Sequence, residues 1–317
     1  MHSGLVIKDQ SGFFWVEVAD GAVYRCRLRG RLLEQAQSSD IAAIGDQVQF
    51  SVVEGDEEGL KGWIEAVDER ASVLSRAVRT EGNRGGGEAQ REQVIIANAE
   101  QALLVLAAAQ PSPDVLFLDR LLVIGEKSGI ERLLIVVNKV DLEDPSTILA
   151  RFSPYEKMGY EVLYTSALTG TGILELRKLL RGKLSALTGP SGVGKTSLLN
   201  QIEPGLGRAV KAVSGYNQEG THTTRDSALV KLAFGGYLAD TPGVRYLNIW
   251  DIEPEELDAY YRDIAPFVSK CKFGDCTHEN EPGCAVRQAV KDGAVTKLRY
   301  KSYRTLRAEL EALYAYD

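Results

Sequence analysis

The stretch that decides the fold is Gly189-Pro190-Ser191-Gly192-Val193-Gly194-Lys195-Thr196-Ser197, which follows the apolar residues 184–187 and precedes a helical pattern from 198. It matches the phosphate-binding pattern G-x-x-x-x-G-K-[ST] in the strand-to-helix context that the pattern requires. The glycines allow backbone N–H groups to converge on phosphate oxygens at a helix N-terminus. Lys195 supplies a positive charge for the β- and γ-phosphates, and Thr196 supplies a hydroxyl for Mg²⁺. A chance glycine-rich turn is the alternative, and the flanking strand and helix argue against it.

A second motif, Asp240-Thr241-Pro242-Gly243, follows another apolar stretch at residues 237–239. An Asp at the end of a strand beside a phosphate loop can hold the Mg²⁺ shell, and the N–H of Gly243 can contact a γ-phosphate. Residues 205–226, between the two motifs, are polar and rich in glycine. We expect Thr224 to reach Mg²⁺ when the triphosphate is bound and to release it afterwards, as in a GTPase switch. Asp-Thr-Pro-Gly alone is more often an ordinary turn, but the preceding phosphate loop favours the magnesium role.

The base-reading motif is predicted at Asn138-Lys139-Val140-Asp141, which follows the apolar residues 133–137. The carboxylate of Asp141 can accept hydrogen bonds from the guanine N1–H and exocyclic amine, a donor pair that adenine lacks. Asn138 and the stem of Lys139 would brace the loop and pack on the ring. Farther along, a backbone N–H in Ser166-Ala167 can donate to the guanine O6. N-K-x-D alone is weak evidence, but four such motifs after four apolar strands predict a site for GTP and GDP.

The order of these motifs is unusual. In ordinary small GTPases the phosphate loop comes first and the guanine-reading motifs come last, whereas here residues 138–141 and 166–167 precede residues 189–197 and 240–243. The termini of a domain often lie close together, so a circular permutation can preserve the fold. We therefore predict a circularly permuted P-loop GTPase domain in a multidomain α/β protein. Its switch region would lie directly before the C-terminal part of the chain.

Three parts are predicted along the 317 residues. Residues 1–70 contain five short alternating stretches separated by turn residues, which indicates an OB-like β-barrel that binds RNA: 4–8, 13–19, 22–29, 47–53 and 61–67. Residues 80–92 are polar and rich in glycine and are predicted to be a flexible linker or mobile loop. Apolar strands alternate with helical periods in the next part, so residues 71–248 are assigned to the GTPase domain. Residues 249–317 are assigned to a mainly α zinc-binding domain.

The composition excludes several classes of protein. The formal charge is −7, so nucleic-acid binding would depend on local basic patches and not on bulk charge. No apolar stretch approaches the ~20 residues that span a bilayer. The N-terminus lacks the basic region and apolar core of a secretory signal, and four cysteines are too few for a disulfide scaffold. We expect a cytoplasmic protein with no membrane partner, which is a monomer when free.

A metal site is predicted where three cysteines and a histidine lie close together in the sequence: Cys271, Cys276, His278 and Cys284. Three thiolates and one imidazole suit a closed tetrahedral zinc site, structural rather than catalytic because no position remains for water. A disulfide plus a spare cysteine is the alternative. Cys26 alternates with arginines and is interpreted as a small buried apolar residue. The predicted cofactors are therefore one structural Zn²⁺ and the Mg²⁺ that accompanies GTP.

Two basic surfaces are candidates for contacts with RNA. The first consists of four arginines at a spacing of two, which would share one face of a strand: Arg25, Arg27, Arg29 and Arg31. A solvated sheet edge is the alternative, and the OB-like barrel favours a nucleic-acid backbone. The second lies on one face of a predicted C-terminal helix and comprises Lys297, Lys301 and Arg304. The opposite face is expected to pack and carries Tyr303, Leu306, Leu310 and Leu313.

Together, the barrel, the permuted motif order and the Cys-x4-Cys-x-His-x5-Cys spacing closely resemble the small ribosomal subunit biogenesis GTPase family, RsgA, over nearly the whole chain. The resemblance implies a cytoplasmic bacterial GTPase that binds the small ribosomal subunit and its ribosomal RNA. It further implies that the subunit stimulates GTP hydrolysis and that the protein assists late maturation of that subunit. The Gly-x-His-Thr-Thr element of the family is similar to Gly220-Thr221-His222-Thr223-Thr224, where Thr221 replaces the arginine that is usual in the family.

The predicted catalytic residue is His222. Val244 occupies the position at which many GTPases carry a water-orienting Gln, and an isopropyl group can neither accept a proton nor orient water. The imidazole of His222 would orient water once a partner orders the switch. The alternatives are that His222 only packs within the switch and that a ribosomal group positions the water. For the whole protein, the alternatives are a permuted GTPase that acts on the large subunit and a GTP-gated RNA-binding scaffold.

Overall fold

The computed structural model describes residues 1–33, 39–53, 60–79, 90–213, 227–240, 249 and 251–314. The strands of these residues form two six-stranded sheets and a two-stranded hairpin. The first sheet forms a barrel, the second lies at the centre of an α/β domain, and helices dominate after residue 251. None of the described helices is long and apolar enough to cross a membrane.

Five strands from the N-terminal part of the chain form the barrel: β1 (His2–Gln10), β2 (Phe13–Glu17), β3 (Val23–Leu28), β4 (Gln47–Val52) and β5 (Lys61–Val67). They follow the order β1-β2-β3-β5-β4, and β1 pairs with both β2 and β4, which closes the sheet. Alternate side chains point inward and form a core that includes Val16, Cys26, Phe50 and Ile64. The predicted OB-like barrel is confirmed, with a short helix, α1 (Gly30–Leu33), after β3.

An antiparallel hairpin of β6 (Val73–Arg79) and β7 (Gln90–Ala97) follows the barrel. It corrects the prediction of a flexible linker over residues 80–92, since residues 90–92 belong to β7 and pair with residues 77–79 of β6. Their polar side chains do not prevent pairing because the ladder is made by backbone N–H and C=O groups. The other residues of the predicted linker, 80–89, lie outside the described part of the chain.

Six strands form the central sheet: β8 (Gln101–Ala107), β9 (Arg132–Asn138), β10 (Glu161–Tyr164), β11 (Leu184–Thr188), β13 (Val230–Lys231) and β14 (Tyr237–Asp240). Their order is β10-β9-β8-β11-β14-β13, all parallel except β13, while β12 (Ser227–Ala228) pairs with the barrel. The chain enters at β8, fills one half of the sheet through β10, and returns beside β8 as β11 to fill the other half. This path confirms the predicted permutation. It also brings the loops after β8, β9, β10, β11 and β14 to one edge of the sheet.

Helices cover both faces of the central sheet. One face packs against α2 (Val115–Lys127) and α3 (Pro145–Lys157), and the other packs against α4 (Ile173–Leu180), α5 (Lys195–Ile202) and α6 (Leu206–Val213). Asp114 caps α2 by accepting a hydrogen bond from the Phe117 N–H at 3.0 Å. Helix α6 occupies the first part of the polar stretch 205–226 and buries Leu206 and Val210. Residues 214–226 lie outside the described part.

After residue 251 the chain forms a 3-10 turn (Leu257–Tyr260) and the helices α7 (Ala265–Val268), α8 (Ala285–Lys291) and α9 (Lys297–Tyr314). Helix α9 buries Tyr303, Leu306 and Leu310, as predicted. Leu313, however, is 46% exposed, which corrects its assignment to the packed face. Residues 311–314 are all exposed, so the last turn of α9 extends beyond the elements that cover its earlier turns.

Candidate nucleotide site and zinc cluster

The phosphate loop, residues 189–197, joins β11 to α5 at the edge where the parallel strands end. Two of its glycines are required: a Cβ on Gly189 would lie 2.1 Å from the carbonyl oxygen of Val105, and Gly194 has φ +92°. The Nζ of Lys195 donates to the carbonyl oxygens of Gly189 and Pro190, each at 2.7 Å. Thr196 is exposed in the first turn of α5, where a phosphate or a metal ion can approach its hydroxyl.

Asn138 connects three segments of the predicted nucleotide site. It ends β9 and is 1% exposed. Its Nδ2 donates to the carbonyl oxygen of Val193, in the phosphate loop, at 2.8 Å. Its Oδ1 accepts from the N–H of Ala167 at 3.2 Å and from Oγ1 of Thr165 at 3.3 Å. The side chain therefore joins the phosphate loop to the loop that follows β10.

Asp141 and Lys139 belong to the same motif but lie in different environments. Asp141 is exposed, and its Oδ1 accepts a hydrogen bond from Oγ of the fully buried Ser166, which orients the carboxylate from the protein side. Lys139 has a left-handed backbone, with φ +62°, and its Nζ donates to the carbonyl oxygen of Gln110. The stem of Lys139 passes 3.8 Å from the Cβ position of Gly194, so it crosses the phosphate loop.

The loop after β8 also contributes to the site, and sequence reasoning missed it. Besides accepting the hydrogen bond from Lys139 through Gln110, this loop places Cδ of Pro111 3.7 Å from the Cβ position of Gly192 in the phosphate loop. A cavity of about 310 Å³ lies between the two loops, lined in part by Phe117 and Pro190. The only sequence signal was the Pro-Ser-Pro run at residues 111–113, which is also typical of an ordinary turn.

The predicted magnesium and catalytic residues are only partly described. Asp240 ends β14, where its backbone lies opposite Leu187 of β11, two residues before Gly189. This register places the end of β14 beside the phosphate loop, as a Walker-B-type Asp requires. Thr224, Gly243 and His222 lie outside the described residues.

The four predicted zinc ligands come together, and their ligand atoms all lie within 4.8 Å of one another. Nδ1 of His278 is 3.6 Å from Sγ of Cys271 and 3.4 Å from Sγ of Cys284, and these two sulfurs are 4.0 Å apart. Tetrahedral ligands of a zinc ion lie about 3.3–3.8 Å from one another, so the donor set suits Zn²⁺ and both distances from Nδ1 of His278 fall within that range. The disulfide alternative is wrong in this structure, because every cysteine is free.

Asp258 supports the zinc cluster from a separate segment. Its Oδ2 lies 2.9 Å from Nε2 of His278, whose side chain is fully buried. A histidine that donates Nε2–H to a carboxylate presents the lone pair of Nδ1 to a metal. From α9, the hydroxyl of Tyr300 donates to the His278 carbonyl oxygen at 2.5 Å. Sequence reasoning missed both residues because neither lies within the ligand motif.

The outer face of the barrel combines basic and aromatic side chains. The guanidinium groups of Arg25 and Arg27 lie 5.1 and 4.2 Å from the centre of the Phe13 ring. Trp15 lies opposite Arg25 and Trp63 lies opposite Arg27 in the strand register, so these side chains share one side of the sheet. Sequence reasoning found the arginines but missed the aromatic residues. We name this surface the aromatic–basic face: Lys8, Phe13, Trp15, Arg25, Arg27 and Trp63.

Arg29 and Arg31 correct the prediction that four arginines share one strand. Strand β3 ends at Leu28, so Arg29 lies just beyond it and Arg31 belongs to α1. Both pair with Glu65, at 2.9 Å from Nε of Arg29 and 3.1 Å from Nη2 of Arg31. Hydrogen bonds from Ser51 and Arg29 lower the pKa of Glu65, which remains charged opposite the two arginines. Arg29 and Arg31 are therefore partly neutralised.

On α9, Lys297, Lys301 and Arg304 are exposed along one face, as predicted, and Arg304 pairs with Glu279 at 3.2 Å. Two other arginines of α9, Arg299 and Arg307, are buried. Arg299 is 2% exposed and lies between Asp119 of α2 and Asp263. These buried ion pairs attach α9 to the central domain, a role that the helical pattern alone did not indicate.

Comparisons with known proteins agree with this architecture. The family model of the RsgA N-terminal domain matches residues 3–61, and the model of the RsgA GTPase matches residues 67–250. The small ribosomal subunit biogenesis GTPase RsgA of Gemmatimonas aurantiaca is 40% identical over 309 residues, with 97% of each chain covered. The protein of the same name from Moorella thermoacetica is 40% identical, over 98% of this chain and 97% of the relative.

Two solved structures match the whole chain. YjeQ from Thermotoga maritima superimposes with a TM-score of 0.74 at 34% identity, covering 98% of both chains. YloQ, described as a circularly permuted GTPase, superimposes with a TM-score of 0.72 at 31% identity, covering 98% of this chain and 96% of YloQ. The permuted sheet, the phosphate loop and the matched family models lead to one conclusion: this chain belongs to the RsgA family of circularly permuted GTPases.

Proposed function

We propose that this GTPase binds the small ribosomal subunit through its ribosomal RNA, and that GTP hydrolysis, stimulated by the subunit, assists late maturation of that subunit. The observation that carries the proposal is the full-length likeness to relatives named small ribosomal subunit biogenesis GTPases, which includes the barrel and the C-terminal domain as well as the GTPase core. In this proposal the protein acts in the cytoplasm and is a monomer between encounters with the subunit.

The nucleotide binds across the edge where the central strands end. The Asp141 carboxylate accepts hydrogen bonds from guanine, while residues 138–140 and Ser166-Ala167 shape the base pocket. Residues 189–197 surround the phosphates with backbone N–H groups, and Lys195 turns from its own loop carbonyls toward the β- and γ-phosphates. Thr196, Thr224 and Asp240 would hold Mg²⁺, and the N–H of Gly243 would contact the γ-phosphate.

Ribosomal RNA contacts the barrel and the C-terminal helix. On the aromatic–basic face, rings offer stacking surfaces for unpaired bases, and the adjacent cations attract phosphates. Cation–π contacts such as Lys8 Nζ at 4.5 Å from the Trp15 ring keep both groups on the same side of the sheet. On α9, the exposed Lys297, Lys301 and Arg304 supply a second set of phosphate contacts.

A zinc ion bound by Cys271, Cys276, His278 and Cys284 is structural, because all four tetrahedral positions are then filled by protein ligands. Bound zinc crosslinks residues 271–284 without taking part in the reaction. Asp258 and Tyr300 orient His278 from outside the ligand motif, which ties this loop to the rest of the C-terminal domain.

His222 is the catalytic residue of this proposal. Val244 cannot orient water, and the sequence places His222 in the segment that carries the candidate magnesium ligand Thr224. The imidazole accepts a hydrogen bond from the attacking water when the subunit is bound. Hydrolysis by the free protein is therefore slow.

The test of the proposal compares GTP hydrolysis by the free protein with hydrolysis in the presence of purified small subunits or purified large subunits. We expect stimulation by small subunits only. Stimulation by large subunits instead would assign the protein to the other subunit. Binding to small subunits without faster hydrolysis would indicate a GTP-gated scaffold.

The role of His222 is tested with His222→Ala. This variant should bind GTP and small subunits as the wild type does but lose most of the stimulated rate, because water orientation is lost while the binding groups remain. A stimulated rate equal to that of the wild type would show that another group, such as one from the ribosome, positions the water.

A further inference from the structure

The barrel and the central sheet share a short stretch of chain. Strand β12 pairs antiparallel with β1, so that Ala228 lies opposite Lys8 and Ser227 opposite Asp9. The N–H of Leu229 then donates to the carbonyl oxygen of Ile7 at 2.8 Å. One residue later the same stretch becomes β13 of the central sheet. The chain thus passes from the barrel's sheet into the GTPase sheet within five residues.

Glu17, at the end of β2 in the barrel, accepts hydrogen bonds from β13 and β14, two neighbouring strands of the central sheet. Its side chain is 8% exposed. Oε1 accepts a hydrogen bond from Nζ of Lys231 on β13, and Oε2 accepts one from the hydroxyl of Tyr237 on β14 at 2.8 Å. Lys231 and Tyr237 lie opposite each other in the strand register. One barrel carboxylate therefore holds a cross-strand pair of the GTPase domain.

Strand β14 leads to a residue proposed to hold magnesium, because it ends at Asp240, three residues after Tyr237. Strand β13 pairs with β14 at Tyr237 and so borders the same strand. The ion pair with Glu17 raises the pKa of Lys231, in agreement with a charge-assisted hydrogen bond.

We propose that Glu17 is a positioning residue for GTP hydrolysis: through Lys231 and Tyr237 it holds the paired strands β13 and β14, and β14 ends at Asp240. The proposal rests on the magnesium role that the proposed function gives to Asp240. A small displacement of a catalytic group can reduce a rate by about 100-fold, so a restraint at the base of β14 is sufficient to affect hydrolysis.

The position of Glu17 also connects the RNA-facing surface to the nucleotide site. Phe13, Trp15 and Glu17 are alternate residues of β2 and therefore share one face of that strand. The first two belong to the aromatic–basic face, and the third contacts the GTPase strands. A displacement of β2 by a bound nucleic acid would therefore also move Glu17, which is bonded to Lys231 and Tyr237.

The experiment uses the full-length protein without ribosomes, so its outcome does not depend on stimulation by either subunit. Intrinsic GTP hydrolysis is measured at saturating GTP over a range of Mg²⁺ concentrations for the wild type, Glu17→Gln and Tyr237→Phe. GDP affinity in EDTA is measured alongside. We expect both variants to need about three- to tenfold more Mg²⁺ for half-maximal hydrolysis, with GDP affinity unchanged because the base and diphosphate contacts are intact.

Two further variants separate positioning from general stability. Glu17→Gln combined with Lys231→Gln should behave like Glu17→Gln alone, since both remove the same ion pair. Glu161→Gln is the matched control: it removes an ion pair with Arg132, at 2.9 Å from Nε, at the opposite edge of the same sheet. It should leave the Mg²⁺ dependence unchanged.

The proposal is overturned if Glu17→Gln and Tyr237→Phe lower the unfolding midpoint while the Mg²⁺ dependence and the hydrolysis rate stay at wild-type values. If Glu17→Gln does not fold, Tyr237→Phe decides alone, because it removes a single oxygen atom from the same contact. An equal shift in Glu161→Gln would also contradict the proposal, because any strand-edge ion pair would then have the same effect.

Discussion

At the scale of single residues, Asp141 combines an exposed carboxylate with a fixed orientation, since the buried Ser166 donates to its Oδ1. Asp141→Asn should weaken GTP binding by about 100-fold, because hydrogen bonds to a charged acceptor are lost and the new amide donors face the donors of guanine. Xanthosine triphosphate should bind this variant better than GTP does, because its 2-oxo group accepts from the amide. Titration calorimetry with both nucleotides measures the change.

The matched control for Asp141 lies three residues along the chain. Asp144 caps α3 by accepting a hydrogen bond from the Ser146 N–H at 2.8 Å, so Asp144→Asn keeps the cap and should leave nucleotide affinity unchanged. Unchanged GTP affinity in Asp141→Asn would contradict the guanine assignment.

Burial makes the thiol of Cys26 less reactive than those of the three cysteines in the zinc cluster. It is fully buried in the barrel, and burial raises its pKa to about 12. At pH 8 very little of Cys26 is therefore the thiolate, which is the reactive form of a cysteine. After zinc removal, titration of the native protein with a thiol reagent should therefore modify the cluster cysteines and spare Cys26. The reagent should modify a fourth thiol, that of Cys26, only in denaturant. If Cys26 in the native protein reacts as fast as the cluster cysteines, its assignment as a buried, unreactive thiol is wrong.

At the scale of elements, α9 is held to α2 by a buried ionic network. Arg299, with 3% of its side chain exposed, pairs with Asp119 and also lies 3.1 Å from Asp263, and Asp119 accepts from the Tyr155 hydroxyl at 2.8 Å. Arg299→Met should lower the free energy of unfolding by about 3–5 kcal/mol at pH 8, because it leaves buried carboxylates without a cation. Denaturant unfolding measures the loss, and Lys301→Met, on the exposed face of α9, should change it by less than about 0.5 kcal/mol.

The pH dependence of this network has a definite sign. Burial raises the pKa of Asp119 even with Arg299 present, and removing the cation raises it further. A carboxyl whose pKa is higher in the folded than in the unfolded state favours folding below its unfolded pKa and loses that contribution as the pH rises through its folded pKa. The Arg299→Met variant should therefore be less destabilised at pH 5 than at pH 8. A penalty that is constant with pH would contradict this explanation.

The zinc loop is the second element with a testable role. Elemental analysis should find about one zinc per chain, and Cys276→Ala should lose the metal and loosen the C-terminal domain, because three ligands no longer complete the tetrahedron. Nucleotide affinity should stay close to that of the wild type, since the ligands belong to a different core from that of the phosphate loop. Metal-free wild-type protein with an unaltered fold would contradict the zinc assignment.

At the scale of the whole molecule, RNA binding should depend on the aromatic–basic face far more than on net charge, which is −7. Replacing both Arg25 and Arg27 by Gln should reduce the slope of log affinity against log salt by about 1–2, since each phosphate contact contributes about 0.7–0.9. Filter binding of small-subunit RNA at several salt concentrations measures the slope. Arg132→Gln, at the far edge of the central sheet, is the control, and an equal reduction there would contradict the assignment of this surface.

The sequence by itself determined the class of each domain and predicted the chemistry of each site. Phosphate-loop, base-reading and zinc motifs are local: the residues of one motif lie within a few positions of one another, so their spacing already predicts the kind of ligand. The order of the motifs determined the permutation, and side-chain alternation determined the five barrel strands, because both are properties of the linear chain.

The tertiary structure alone decided which of these groups meet one another. Glu65 neutralises Arg29 and Arg31, Asp119 draws Arg299 into the interior, and Glu17 bonds to Lys231 and Tyr237 more than 200 positions away. The pairing of β6 with β7 and of β12 with β1 likewise depends on backbone N–H and C=O groups, which every residue type except proline carries. Periodicity reports which face of an element is apolar, but the partner of that face is set by how separately folded parts of the chain pack together.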